Sequence, residues 1–167
     1  RAALMHELVT QEKEEFSPQS KANMARGTAL EPKARKFYEQ LTHYQVVERG
    51  IVIPKWNLWL GASCDGDVLG TAGIIEIKCP RKMYFGLQDY AARKARGENV
   101  KIEDFIWGPY YCQMQMNMAV LGKQWCDYVV YDCAQRVKSC AIYRVPFNPH
   151  FWNTELYPAI QNFITEY

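Results

Sequence analysis

Long apolar runs are missing from this sequence. No stretch approaches the about 18 consecutive apolar residues that a transmembrane helix needs, so we expect no membrane span. The sequence also lacks an excess of either charge, because 20 basic and 18 acidic residues leave a net charge of only +2. That charge is too small to indicate a nucleic-acid partner by itself. Internal repeats and low-complexity segments are also absent, and 49% hydrophobic with 23% charged residues is typical of a globular protein, which argues against disorder.

Cysteine pairs at metal-binding spacing are absent as well. The six cysteines include no C-x-x-C pair, and the evenly spaced Cys126, Cys133 and Cys140 have no histidine at zinc-finger spacing. The sequence does not open on the basic-then-apolar pattern of a signal peptide. We therefore expect reduced, mostly buried thiols in an intracellular protein. A cysteine-based metal or redox protein is the distant alternative, and thiol titration with metal analysis would detect it.

The length of 167 residues fits one well-packed domain. Residues 1–20 are polar and predict an N-terminal arm, and residues 21–167 predict a single domain. The periodicity of apolar residues, together with the positions of proline and glycine, predicts the helices and strands. The predicted helices cover residues 28–41, 81–96, 109–121 and a last stretch from about 149, which Pro158 would kink. The predicted strands cover residues 45–53, 58–63, 73–78, 125–131 and 138–145. This order is typical of an α/β domain with a mixed central sheet flanked by helices.

Three charged residues stand out around the predicted strand 73–78: Asp65, Glu76 and Lys78. Residues two apart on a strand point to the same face, so Glu76 and Lys78 should project together. Charges inside an apolar strand need partners or a metal, because unpaired burial is costly. Two carboxylates can hold a hard divalent cation, and a lysine beside it can orient a water, which is the pattern of a metal-dependent phosphodiesterase. The ordinary alternative is a set of solvated charges at strand ends.

Three further groups of residues carry open alternatives. Asp67 competes with Asp65 as a ligand, although it is expected to be more exposed. A basic cluster on the first helix, made of Lys33, Arg35 and Lys36, is expected to be a solvated helix face. Tyr110 and Tyr111 are expected to be core or hydrogen-bonding residues.

Four segments together resemble the phage lambda exonuclease and viral recombinase family within the PD-(D/E)XK nuclease superfamily, over residues 26–131. They are Arg26-Gly-Thr-Ala-Leu-Glu31-Pro32, Gly61-Ala-Ser-Cys-Asp65-Gly66, Glu76-Ile77-Lys78-Cys-Pro80 and Tyr110-Tyr-Cys-Gln113-Met-Gln115. The resemblance implies a restriction-endonuclease-like core. Cys64 departs from the family pattern, which has proline before the acidic residue; proline there contributes stiffness rather than chemistry.

The resemblance also implies roles for individual residues. Asp65 and Glu76 would be the principal metal ligands together with the Ile77 carbonyl, Lys78 would position the attacking water, and the ion would be Mg²⁺, with Mn²⁺ as a substitute. Glu31 would contact a metal directly or through water, although the helix dipole alone would favour a carboxylate there. Gln113 would lie near the water and Lys78, although it could instead bond between helices. Gln113 and Gln115 differ by about 200° around a helix, so only one of them can face the site.

The implied function is a Mg²⁺-dependent exonuclease on the free ends of double-stranded DNA, running 5′ to 3′. The family further implies a homotrimer, a single-strand annealing protein as partner and a viral or phage protein in the host cell. Arg26 is a candidate for gripping the 5′-phosphate. The alternatives are a structure-specific endonuclease, the nuclease module of a larger repair protein, and a non-catalytic nucleic-acid-binding or assembly protein that retains the fold.

Overall fold

The computed structural model describes residues 16–80, 85–132 and 139–166. The elements in chain order are α1 (Pro18–Thr42), β1 (Val46–Val47), β2 (Gly66–Val68), β3 (Gly73–Lys78), α2 (Phe85–Ala95), a 3-10 turn (Ile102–Phe105), α3 (Gly108–Leu121), β4 (Trp125–Asp132), β5 (Ser139–Pro146), α4 (Pro149–Phe151), a π-helical turn (Trp152–Leu156) and α5 (Tyr157–Glu166). No described helix is both long and apolar enough to cross a membrane.

Five strands of the described residues form one mixed sheet in the order β1-β2-β3-β4-β5. The β3 and β4 strands pair in parallel, and the other neighbours pair antiparallel. Helix α1 packs on one face, where Ala34 and Tyr38 meet Ile75 and Ile77 of β3. Helix α3 covers the other face, where Met114 and Met118 meet Ile74. The predicted α/β architecture is therefore confirmed, and β3 has helices on both faces.

The start of the first helix differs from the prediction. Helix α1 begins at Pro18, ten residues before the predicted start at residue 28. The Ser17 side chain accepts a hydrogen bond from the backbone N–H of Ser20, and proline at the first helical position suits a helix start. Ser17 and Pro18 lie inside the predicted polar arm, but they cap and begin the helix. Residues 18–20 of the predicted arm belong to α1, and residues 1–15 lie outside the described ones.

Two predicted strands are wrong in extent. The predicted strand 45–53 is reduced to β1 (Val46–Val47), and the predicted strand 58–63 makes only the bridge between Val52 and Ala62. The strand beside β3 is β2 (Gly66–Val68), in a segment for which no strand is predicted. Large apolar side chains of residues 51–59 remain solvent-exposed, namely Ile51, Ile53, Trp56, Leu58 and Trp59. High β-propensity in this segment therefore did not produce sheet pairing, because propensity depends on packing context.

The elements nearest the predicted site agree with the sequence. Strand β3 has the predicted bounds, and α3 ends at the predicted glycine, with Gly122 at φ 66° as a left-handed cap. Strands β4 and β5 pair antiparallel as two neighbours along the chain. In the last helix a π-helical turn precedes Pro158 where we predicted a kink. Of the described cysteines, Cys64 and Cys126 are buried, as expected for the thiols, whereas Cys79, Cys112 and Cys140 are only partly buried; Cys133 lies outside the described residues.

Candidate active site

A pocket of about 780 Å³ opens where the first half of α1, the end of β3 and the start of α3 meet. The predicted site residues that line it are Glu31, Asp65, Glu76, Ile77, Lys78 and Gln113. The other lining side chains include Gln19, Asn23, Arg26 and Tyr110. The structure therefore brings all six predicted site residues into one cavity, although they are spread over more than eighty positions of the chain.

Asp65 is fixed against β3 by its main chain and by its side chain. Its backbone N–H donates to the Ile75 carbonyl at 3.2 Å, and its Oδ2 accepts from the backbone N–H of Ile77 at 2.6 Å. A carboxylate in this position is held beside the strand that carries Glu76. Strand β3 thus holds Asp65 at the pocket, beside Glu76.

Glu76 and Lys78 lie on the same face of β3, and the Lys78 Nζ donates to Glu76 Oε1 at 2.5 Å. Glu76 is only 1% exposed, so the lysine supplies the partner that a buried carboxylate needs. A second partner is Asn117 of α3, whose Nδ2 lies 3.3 Å from Glu76 Oε2. Asn117 lies four residues after Gln113 and shares its helix face, which was the available signal. Its contact with Glu76 was not predicted.

The two glutamines of α3 point in different directions. The Oε1 of Gln113 accepts from Lys78 Nζ at 3.4 Å, and the side chain faces the pocket. Gln115 is buried and donates to the Pro146 carbonyl at 2.9 Å while accepting from the backbone N–H of Asn148 at 2.8 Å. Gln115 therefore joins α3 to the end of β5, and Gln113 is the glutamine available to the site.

Tyr110 combines the expected packing role with a place in the pocket wall. Its ring packs against the core beneath α3, and Lys78 Nζ lies 4.7 Å from the ring centroid. Such a contact favours the charged form of the lysine. Asp67, the competing ligand, is paired instead with Arg49 and with Lys123, the latter at 3.0 Å, and it does not line the pocket.

Arg35 corrects the expectation of a solvated basic face on the first helix. Lys33 and Lys36 are exposed as predicted, whereas Arg35 is only 8% exposed. Its guanidinium donates to the Asp65 carbonyl oxygen at 3.2 Å and to Glu31 Oε1 at 2.7 Å, and it also pairs with Glu48. Its spacing of four residues from Glu31 was the available signal, because such pairs share a helix face.

The carboxylates of the pocket have raised pKa values, chiefly because they are buried. Burial, followed by repulsion from Asp65, raises the pKa of Glu76 to about 7. Burial also raises the pKa of Asp65, and burial together with the Asp65 charge raises the pKa of Glu31. A cation in the pocket would relieve this repulsion, and oxygen donors of this kind match a hard divalent ion.

The few oxygen ligands that the pocket offers suit Mg²⁺ better than an ion that needs many protein ligands. In the described part of the chain, no group of three His, Cys, Asp or Glu side chains is arranged to hold a metal ion by itself. Mg²⁺ needs only one or two carboxylates, since it keeps several waters. Asp65, Glu76 and the Ile77 carbonyl meet that requirement, while one oxygen of Glu31 is engaged by Arg35.

The raised pKa of Glu76 predicts how stability depends on pH. The folded-state pKa of about 7 lies above the ordinary value of 4.5, so the folded protein holds the extra proton between these values. In EDTA, the wild type should therefore lose unfolding free energy relative to Glu76→Gln as the pH rises through this window, by roughly 3 kcal/mol. Denaturant unfolding of both proteins from pH 4 to 8 measures the difference. A difference in unfolding free energy that stays constant across that range would contradict a Glu76 pKa of about 7.

The comparisons with known proteins agree with this geometry. Residues 1–124 match the model of the YqaJ-like viral recombinase domain family. An alkaline exonuclease from Laribacter hongkongensis, LHK-Exo, is 32% identical, with a TM-score of 0.69 over 99% of this chain and 76% of that chain. Its complex with dAMP gives a TM-score of 0.70 at the same identity and coverage. A phage related exonuclease from Haemophilus somnus 129PT, 14% identical, has the same fold, with a TM-score of 0.65 over 98% of this chain and 75% of that chain. No curated protein matches the chain.

The mixed sheet between helices and the similarity to alkaline exonuclease structures define the class of protein: an α/β nuclease. Within this class the sequence match is specific. The chain belongs to the YqaJ-like viral recombinase domain family.

Proposed function

We propose that this protein is a Mg²⁺-dependent exonuclease that hydrolyses phosphodiester bonds at the free ends of double-stranded DNA. The observation that carries the proposal is the convergence of Asp65, Glu76, Lys78 and Gln113 in one pocket. The similarity to exonuclease structures over nearly the whole chain supports the same conclusion.

Asp65, Glu76 and the Ile77 carbonyl would hold the Mg²⁺ or Mn²⁺ ion, with Glu31 contributing directly or through a water. Such an ion lowers the pKa of a bound water and stabilises negative charge that develops on a phosphate. The chain's own groups prepare the rest of the site. Asn117 fixes the orientation of the buried Glu76, and β3 and β2 hold Asp65 in place.

Lys78 is the group that acts directly on the reacting atoms. Its ammonium is placed among Glu76, Gln113 and the ring of Tyr110, so it can donate to the attacking water and to a phosphate oxygen. Water adds to phosphorus and the bond from phosphorus to the 3′ oxygen breaks. The released nucleotide keeps its own 5′-phosphate, and the remaining strand gains a new one.

Arg26 is the basic residue best placed for the terminal phosphate. It lines the same pocket, and its Nη2 donates to the Pro80 carbonyl at 3.4 Å, while its buried Nε has no partner among the described residues. A guanidinium can offer two parallel donors to a phosphate.

The 5′ to 3′ direction, a homotrimer, a single-strand annealing partner and action in a host cell remain proposals that rest on the family resemblance.

Degradation of linear blunt duplex DNA beside the same DNA as a closed circle tests the proposed activity. With Mg²⁺, the linear form should disappear while the circle persists, and EDTA should abolish the loss. Cutting of both forms would instead favour the endonuclease alternative. Failure to cut either form, with folded protein and Mg²⁺, would contradict the nuclease proposal and favour a binding or assembly role.

A further inference from the structure

Arg35 is a buried arginine directly behind the pocket. It is 8% exposed, and it does not line the cavity itself. A buried guanidinium is rare unless it is paired, because its desolvation must be offset by acceptors. Arg35 has three acceptors: the Asp65 carbonyl oxygen at 3.2 Å, Glu31 Oε1 at 2.7 Å, and Glu48.

Two of these acceptors belong to residues that line the pocket. Glu31 lies on α1, and Asp65 immediately precedes β2. Asp65 is held on its other side by β3, through the Ile75 carbonyl and the Ile77 N–H. The Arg35 contact therefore completes the attachment of Asp65 and ties its main chain to the helix that presents Glu31.

The chemistry of the side chain suits this bridging position. A guanidinium has five donors in a rigid planar fork, so it can bond two acceptors in fixed directions at once. A lysine at position 35 would keep the charge, but its single ammonium would not fix both directions. Lys33 and Lys36, on the same helix, are exposed and do not line the pocket.

We propose that Arg35 is a positioning residue that sets the relative placement of Glu31 and Asp65, and thereby the affinity of the site for a divalent cation. This inference rests on the proposed function, because it assumes that these carboxylates bind an ion. Residues that orient metal ligands typically change metal affinity or activity by about 10- to 100-fold when they are replaced.

The alternative is that Arg35 only anchors α1 to the sheet. That role predicts a lower melting temperature without a change in ion affinity of the folded protein. Affinity for the ion must therefore be measured on folded protein, separately from catalysis.

The test is titration of Mn²⁺ into the full chain by calorimetry, for the wild type, Arg35→Met, Arg35→Lys and the matched control Lys36→Met. We expect Mn²⁺ binding to weaken about 10-fold or more in both Arg35 variants, and to stay unchanged in Lys36→Met. The Mg²⁺ concentration for half-maximal hydrolysis should shift by the same factor. Glu48→Gln should change the affinity little, because Glu48 is 75% exposed in its side chain and contacts Arg35 from the solvent side.

Wild-type affinity in a folded Arg35→Met protein would overturn the proposal and leave the anchoring role. If Arg35→Met does not fold, Arg35→Lys decides, and wild-type affinity in that variant would overturn it equally. A wild type that binds Mn²⁺ but does not degrade DNA would refute the proposed function while leaving the role of Arg35 intact. A wild type that binds no Mn²⁺ would refute both.

Discussion

Replacing Glu76 by glutamine is expected to slow DNA hydrolysis about a thousandfold or more, because loss of a metal ligand removes several kcal/mol of transition-state stabilisation. The substitution keeps the side-chain shape at a position that is 1% exposed, so the fold should persist. It also removes a carboxylate that is disfavoured by burial and by Asp65, and the glutamine amide oxygen can still accept from Lys78, so the unfolding free energy should not fall. Nucleotide release from linear duplex DNA with Mg²⁺, together with thermal unfolding, measures both quantities.

A matched control for this substitution is Glu98→Gln. Glu98 is also ion-paired, with Arg93 at 2.7 Å and Arg96 at 2.8 Å, but it lies after α2 and does not line the pocket. Its substitution should leave the rate unchanged. A Glu76→Gln protein that keeps the rate within tenfold of the wild type would exclude Glu76 as a principal ligand.

Replacing Lys78 by methionine is expected to have two large effects. The rate should fall about 100- to 1000-fold, as when one donor to a developing oxyanion is removed. The free energy of unfolding at pH 8 should also fall, by about 3 kcal/mol, because the buried Glu76 carboxylate loses its 2.5 Å ion pair. Kinetics on linear DNA and denaturant unfolding in EDTA measure these effects separately.

The double variant Glu76→Gln with Lys78→Met separates stability from catalysis. It should recover most of the stability lost in Lys78→Met, because no unpaired carboxylate remains, and it should stay inactive. Lys94→Met, at an exposed position in the last turn of α2, should change neither quantity. Equal unfolding free energies of the wild type and Lys78→Met would show that the ion pair with Lys78 does not offset the cost of burying the Glu76 carboxylate.

Local sequence rules predicted the central strand and the helix that faces it. The alternation along β3 placed Glu76 and Lys78 on one face and Ile75 and Ile77 on the other, and both placements are confirmed. The helical period predicted that only one of Gln113 and Gln115 faces the site. These predictions succeed because they depend on the geometry of a single element.

Predictions that depend on contacts between elements were less complete. The β-branched residues around Ile51–Ile53 suggested a long strand, but sheet pairing there is limited to one bridge, which no local pattern reveals. Arg35 was placed in a solvated cluster, since its burial depends on which side of α1 meets the Asp65 segment. Ser17 and Pro18 carry a helix-start signal, but they lie within a polar segment, so the sequence favoured an arm there.

Locating the ion directly would test the central claim that this pocket is a divalent-metal nuclease site. The measurement is a crystal structure of the full chain with Mn²⁺, in which anomalous scattering identifies the metal. We predict a peak coordinated by Asp65, by Glu76 and by the Ile77 carbonyl oxygen, and its loss in Glu76→Gln. A peak bound elsewhere in the chain, or no peak at Mn²⁺ concentrations that support hydrolysis, would contradict the assignment of the site.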